Sequence, residues 1–385
     1  MFLLKLLIRN VLRHKLRTSL TVLSVAIAIL AYGLLQTVID AWYQGVRVSS
    51  STRLITRNAG SLIMPLPMSY KEKIRQIDGV KNVTYGVFFG GIYIDEKNFF
   101  ANFAGEAKAF LEIYPEYILT PKEKDNFFRD KRSAIVGEKL ARQFGWKLGD
   151  KIILKGSIYP GQWEFVIKGI YRGRDKNVDE TQFFFHWDYV NEHLRKIQSS
   201  RADHVGFYII EIGFPELAPI VSERIDSMFQ NSIAETLTET EKAFQLGFIS
   251  MSDSIIMALQ IVSYIVIIII LAVVANTINM TTRERTGEYA VFKTLGFKGF
   301  KISSLIVGES IIITTIGCML GTILIFPASE IFKQKVGTII PVFNISCSTI
   351  IEGFALSVIV GILASIIPIY RGIKTPIVEG LRKII

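Results

Sequence analysis

The chain is poor in the residues from which disulfide-stapled domains, metal centres and hydrolases are built. Of its 385 residues only Cys318 and Cys347 are cysteines. One lies inside a long apolar run and the other at the mouth of another, so residues 41–250 carry no thiol, and no disulfide or thiolate metal site can hold that stretch together. Histidine is equally scarce. His186, His193 and His204, with Asp188 among them, match no defined ligand spacing, so ordinary surface or core histidines are expected and no metal site. No G-x-x-x-x-G-K-[S/T] loop occurs to cradle a nucleotide phosphate, no G-x-S-x-G elbow and no H-E-x-x-H helix. No catalytic residue is assigned, and the chain is expected to bind no cofactor of its own.

What is present is apolar surface: half of the residues are hydrophobic and mean hydropathy is +0.37. Four runs, 18–39, 255–278, 302–326 and 350–370, each hold a little over twenty residues. At about 1.5 Å per helical residue each spans the roughly 30 Å hydrocarbon layer. The expected fold is an α-helical membrane protein with four transmembrane helices and a large α+β extracytoplasmic domain inserted between helices 1 and 2. The first run is longer than a signal-peptide core and no small-residue cleavage site follows it, so it reads as a retained anchor.

The formal charge of +10 is concentrated beside these runs. Lys5, Arg9, Arg13, Lys15 and Arg17 precede the first, Arg283, Arg285, Lys293, Lys298 and Lys301 lie between the second and third, and Arg371, Lys374, Arg382 and Lys383 follow the fourth. The positive-inside rule puts all three clusters, and both termini, in the cytoplasm. Juxtamembrane placement suits anionic lipid headgroups and argues against nucleic acid. Within residues 1–17 a basic side chain recurs at every fourth position, Lys5, Arg9, Arg13 and Arg17, with Phe2, Leu3, Leu6, Leu7 and Leu12 supplying apolar surface between them. That pattern reads as an interfacial helix.

Residues 41–250 have soluble composition, within an extracytoplasmic segment taken as 40–254. Strand-like windows at 54–64, 83–94, 151–154, 164–171 and 205–212 alternate with helix-like ones at 69–77, 138–144, 187–197 and 215–230. The charged, proline-containing segment 110–132 suggests a division into two lobes. Residues 233–254 read as a helical stalk continuing into the second span. Outside loop 327–349 and tail 371–385 complete the division.

Between the second and third spans, residues 279–301 form the best-defined local motif. Thr281 and Glu284 have capping-box spacing, the helix is expected to run from 283 to 295, and Gly296 stands where a left-handed cap is needed. Tyr289, Phe292 and Leu295 share a face, leaving Arg285, Glu288 and Lys293 for solvent or a partner. Within the third span, Glu309 is expected to face other helices, a cavity or the cytoplasmic rim instead of lipid, as a structural hydrogen-bonding group in preference to a substrate or proton relay, and Gly317 with Gly321 forms a G-x-x-x-G pair suited to close helix packing, with Gly308 nearby. Glu352 lies near the outer end of the fourth.

Four segments carry a family resemblance. They are Ile8-Arg-Asn-Val-Leu-Arg-His-Lys-Leu-Arg-Thr-Ser-Leu-Thr-Val-Leu-Ser24, Ile135-Val-Gly-Glu-Lys-Leu-Ala-Arg-Gln-Phe-Gly-Trp-Lys-Leu-Gly-Asp-Lys-Ile-Ile-Leu154, Arg283-Glu-Arg-Thr-Gly-Glu-Tyr-Ala-Val-Phe-Lys-Thr-Leu-Gly-Phe297, and Pro368 with Thr375-Pro-Ile-Val-Glu-Gly-Leu-Arg382. Together with the span order they resemble the permeases of the MacB-like ABC superfamily, which includes LolC, LolE and FtsX. The resemblance implies a permease that works by mechanotransmission, paired with a second permease copy or a related one. It implies a separate ABC ATP-binding subunit that carries ATP and Mg, and a periplasmic adaptor. It gives Arg283, Glu284, Arg285, Glu288 and Lys293 as ATPase-coupling contacts, with Tyr289, Phe292 and Leu295 seating the helix. The expected function is export or extraction of an amphiphile (lipid, lipoprotein, peptide or drug) at the cell inner membrane. The alternative is FtsX-like signalling that activates an external partner without transport, although FtsX-type external domains are usually smaller than this one.

Overall fold

The computed structural model describes residues 7, 9–11, 13–96, 98, 100–336, 343–374 and 376. These fall into two compact units, one within Met1–Ala41, Ser252–Lys335 and Phe343–Ile385, the other within Trp42–Met251 and Val336–Val342.

The first unit is a bundle of four long apolar helices. The first span is Lys15–Trp42, the second Asp253–Glu284, the third Gly299–Val336 and the fourth Cys347–Lys374. Helix is the form such segments take, because hydrocarbon offers no partner for an unpaired backbone group. Each expected window lies inside its helix. The third overruns its window at the outer end, carrying Pro327 and part of the expected outside loop into helix.

Small residues set the packing of this unit. Gly317 and Gly321 sit against the first span: a Cβ on Gly321 would lie 2.6 Å from the Ala26 carbonyl oxygen, and one on Gly317 3.1 Å from that of Val22. The G-x-x-x-G face is therefore filled from within the same chain, and Gly308 is covered by Leu7. Around it Val25, Ile29, Ile270, Val274, Ile278, Ile306, Val360 and Ala364 form one buried cluster. Gly321→Val is expected to overpack this contact at a cost of about 1–3 kcal/mol. Gly353→Ala, with no atom within 4 Å of the added Cβ, is expected to be tolerated. Thermal unfolding of the two variants in detergent checks the contrast.

The second unit is an α+β domain. Its strands are β1 Arg53–Asn58, β2 Leu66–Pro67, β3 Val80–Phe88, β4 Gly91–Ile92, β5 Asn102–Gly105, β6 Tyr117–Ile118, β7 Ser133–Gly137, β8 Lys151–Gly156, β9 Gly161–Gly173, β10 Phe183–His186, β11 His204–Val205, β12 Phe207–Ile212 and β13 Thr236–Thr240. Among the described residues the main sheet runs β13-β1-β12-β3-β5-β10-β7-β9-β8-β4, with β6 on β9 and a separate β2–β11 pair. β10 pairs parallel to β5 and β7 parallel to β9, while the other pairings are antiparallel.

β10 explains the aromatic run. Phe183 and Phe185 enter the large core on one face, and Phe184 enters a second cluster with Leu111, Phe127 and Tyr171 on the other. A strand covered on both faces has no polar alternation. Phe89 and Phe100 are also buried core residues, Phe88 is exposed, and Phe99 lies outside the described residues.

Three expectations change here. The segment 110–132 is no boundary between lobes: helices Ala107–Ile113 and Pro121–Arg129 dock on the sheet through Leu111 and Phe127, and the unit is single. The 54–64 window ends early at Asn58, and the 83–94 window is broken after Phe88, where Gly90 with a φ of +67° turns the chain before the short β4 begins at Gly91. The stalk is not one helix. Its Thr-Leu-Thr-Glu-Thr segment alternates with period two and pairs with β1 as β13. A helix then runs Glu241–Ser250, capped by the Thr240 hydroxyl accepting from the Ala243 N–H at 3.1 Å, and stops before the second span begins at Asp253.

A buried ion cluster joins the two ends of this unit's chain. Arg53, opening β1, donates from Nε to Glu241 at 2.8 Å, pairs with Glu116 at 2.8 Å, donates to the Ile113 carbonyl at 3.2 Å and lies 4.2 Å over the Tyr114 ring. Arg53→Met would leave the buried Glu241 and the half-buried Glu116 without their cation, an arrangement that costs about 3–5 kcal/mol. A lowered unfolding midpoint of the full chain is the expected result. An unchanged midpoint would mean that water reaches these carboxylates.

Candidate functional site

The hairpin between the second and third spans brings the chemistry-bearing residues together. The second span continues helical past the expected window to Glu284, and the Thr281 hydroxyl donates back to the Thr277 carbonyl at 3.0 Å. Thr281 and Glu284 therefore form no capping box, because helix simply persists beyond the apolar run. The turn comes at Arg285 (φ −98°, ψ 15°), and the hairpin helix is Thr286–Thr294.

Its end is a Schellman cap. Gly296 has φ +82°, its N–H donates to the Lys293 carbonyl at 3.1 Å, and the Phe297 N–H donates to the Phe292 carbonyl at 3.0 Å. The accompanying apolar contact is the Phe292–Phe297 ring pair, 5.4 Å between centroids.

Arg285 does not face solvent, contrary to expectation. Its side chain is 6% exposed and donates from Nε to Glu288 at 2.9 Å and from Nη1 to Glu309 of the third span at 2.9 Å. Glu309 is 7% exposed, so both charges are withdrawn from water and compensate one another. The guanidinium also lies 5.5 Å from the Tyr289 ring. The physical reason is position: a residue at the break between two helices points into their angle, toward the third span.

The other expected contacts are also engaged within the chain. Arg17 holds Glu284 with two hydrogen bonds of 2.7 and 2.8 Å, His14 approaches Glu284 at 3.7 Å, and Arg13 pairs with Glu288. Lys293 donates to the Ile373 carbonyl of the fourth span at 2.7 Å. Described residues of the expected interfacial helix, 7 and 9–11, are helical, with a turn at Arg13 and His14 before the first span. The motif 375–382 lies outside the described residues except Pro376.

Electrostatics follow these contacts. Burial works against the Glu288 carboxylate, but hydrogen bonds from Arg285 and Arg13 outweigh it and hold the group below the usual carboxylate range. Burial likewise opposes the charge on Arg285, and its neighbours still raise its affinity for the proton. Burial pushes the Tyr289 hydroxyl up to about 12 and lowers Lys293.

Tyr289 is buried and Phe292 packs on the same cluster. Leu295, expected to seat the helix, instead falls after its last turn and is 68% exposed. Phe300, 83% exposed, and Val291 are exposed apolar side chains as well, and Arg283, Lys298 and Lys301 are exposed basic ones. An open groove of about 480 Å³ is lined by Arg283, Glu284, Thr286, Gly287, Glu288, Val291 and Phe292, beside the ion pairs of Glu284 and Glu288. Sequence reading missed Arg13, His14 and Arg17 as partners of the hairpin. The available signal was two ladders of equal spacing, Arg13 and Arg17 against Glu288 and Glu284.

The histidines of the other unit have structural surroundings. His186 Nε2 is 2.7 Å from the Phe127 carbonyl oxygen, His204 Nδ1 is 2.6 Å from that of Ala202, and His193 stands edge-on to Trp163. Among the described residues no group of three or more His, Cys, Asp or Glu side chains is placed to hold a metal ion.

Residues 18–225 match the MacB-like periplasmic core domain, and residues 260–377, which contain the hairpin, match the FtsX-like permease C-terminal family. The chain belongs to the MacB/FtsX-type ABC transporter permeases. It is 24% identical over 324 residues to an uncharacterized ABC transporter permease of Methanocaldococcus jannaschii, a match that covers 80% of this chain and 77% of that one. The periplasmic region of MacB from Actinobacillus actinomycetemcomitans aligns with 53% of this chain and 95% of its own at 11% identity and a TM-score of 0.38. The extracellular domain of the noncanonic ABC-type transporter YknZ from Gram-positive bacteria aligns with 49% of this chain and all of its own, at 11% identity and a TM-score of 0.35. The permease is thus a membrane protein whose second unit is a large extracytoplasmic domain, and its family implies an ATPase partner.

Proposed function

We propose that this permease couples ATP hydrolysis by a separate subunit to movement of its extracytoplasmic unit, for export or extraction of an amphiphile from the membrane. The carrying observation is that the hairpin is tied to the bundle and still exposes apolar groups. Charge ties it to the first and third spans and Lys293 ties it to the fourth, whereas Val291, Leu295 and Phe300 remain exposed. An ATPase subunit seated on these exposed groups pushes on a helix that is already bound to the bundle. The seat on this reading consists of them and of the exposed basic Arg283, Lys298 and Lys301, in place of the Arg285 and Glu288 charges expected from sequence.

The cytoplasmic face of the inner membrane is assigned to the hairpin and to both termini on the positive flanks Lys15, Arg17, Arg283, Lys298, Lys301, Arg371 and Lys374. ATP and Mg belong to the partner. Cargo reaches the extracytoplasmic unit, where an adaptor and a second permease copy complete the assembly.

Leu295→Glu and Phe300→Glu are expected to reduce retention of the ATPase subunit on the tagged, detergent-solubilised permease by at least about tenfold, while leaving thermal unfolding unchanged. Retention equal to wild type in both variants would move the seat elsewhere.

A further inference from the structure

We propose that Arg285 and Glu309 are positioning residues for energy coupling: their buried pair is the joint by which displacement of the hairpin helix is imposed on the third span. The inference rests on the reading of the hairpin as the ATPase seat.

The geometry is specific to this pair. Arg285 sits at the break between the second span and the hairpin helix, so a movement of that helix pivots about it. One arm of its guanidinium holds Glu288, in the first turn of the hairpin helix, and another holds Glu309, each at 2.9 Å. Glu309 is ten residues into the third span, which at about 1.5 Å per residue is roughly 15 Å along its axis. A single planar group thus fixes the hairpin helix to a point well inside the neighbouring span. Apolar contacts such as those of Tyr289 permit sliding, whereas paired charge-assisted hydrogen bonds fix register.

The remaining ion pairs differ in kind. Arg13 with Glu288 and Arg17 with Glu284 are partly open to water, with carboxylates 36% and 37% exposed, and such pairs exchange readily with solvent. The Arg285–Glu309 pair has no such exchange available, because separating it strands two charges out of water. It either holds or the hairpin detaches from the third span.

The test is hydrogen exchange on the full-length permease with its ATPase subunit in nanodiscs, comparing peptides of the hairpin helix and of residues 299–315 with and without ATP and vanadate. In wild type both regions respond. In Glu309→Gln and Arg285→Lys, which conserve size or charge, the ATPase subunit remains bound and the hairpin still responds, but the response of 299–315 falls at least about fivefold. The exchange Arg285→Glu with Glu309→Arg restores part of it. A wild-type response of 299–315 in both single variants overturns the proposal, as does a uniform loss of both responses with loss of folding in both. A wild-type hairpin that does not respond to ATP overturns the coupling reading itself, and this inference with it. Retained ATPase with a selectively silent third span is the signature that a merely structural ion pair would not produce.

Discussion

The arrangement at the hairpin depends on one guanidinium kept out of water. Arg285 satisfies Glu288 and Glu309 at once, and without it Glu288 would keep only Arg13 while Glu309 would be left stranded in the third span. Removing water makes such contacts strong and makes them costly to break. The outer ion pairs with Arg13 and Arg17 then add alignment at modest energy. The Schellman cap at Gly296 performs the corresponding service at the other end, closing the helix before the third span begins.

The two units solve different problems with different material. The bundle has no hydrophobic driving force between helices in lipid, so it relies on close approach at Gly317, Gly321 and Gly361 and on polar ties at its rim. The extracytoplasmic unit has ordinary hydrophobic burial, concentrated around β10 and its neighbours. Its deep ionic cluster at Arg53 links the strand that follows the first span to the helix that precedes the second.

Features written along one dimension are legible in the sequence. Span number follows from run length, and the helices Glu138–Phe144 and Trp187–Ile197 fall at their expected bounds because their periodicity is uninterrupted. Gly296 is legible because a left-handed cap needs glycine. Features that depend on what lies opposite are not. β10 escapes notice because a strand buried on both faces shows no alternation, and β5 because its four residues, Asn-Phe-Ala-Gly, are too few and too mixed to show a period. The stalk misleads because helix and strand propensity compete in a threonine-rich segment, and pairing with β1 decides for strand. Arg285 reads as outward because hydropathy counts a charge as exposed until its partner is known, and Glu309 stands 24 residues away.

The packing of Gly317 and Gly321 against the first span has a consequence for lateral assembly. The notched surface of the third span is already occupied by its own chain. The second span, by contrast, turns a ridge of Ile261, Ile265, Ile268 and Ile269 outward. Such β-branched side chains are nearly fixed in a helix before anything touches them. Any association there would draw on shape and stiffness, and its strength would vary with how well the surrounding lipid tails solvate the same ridge.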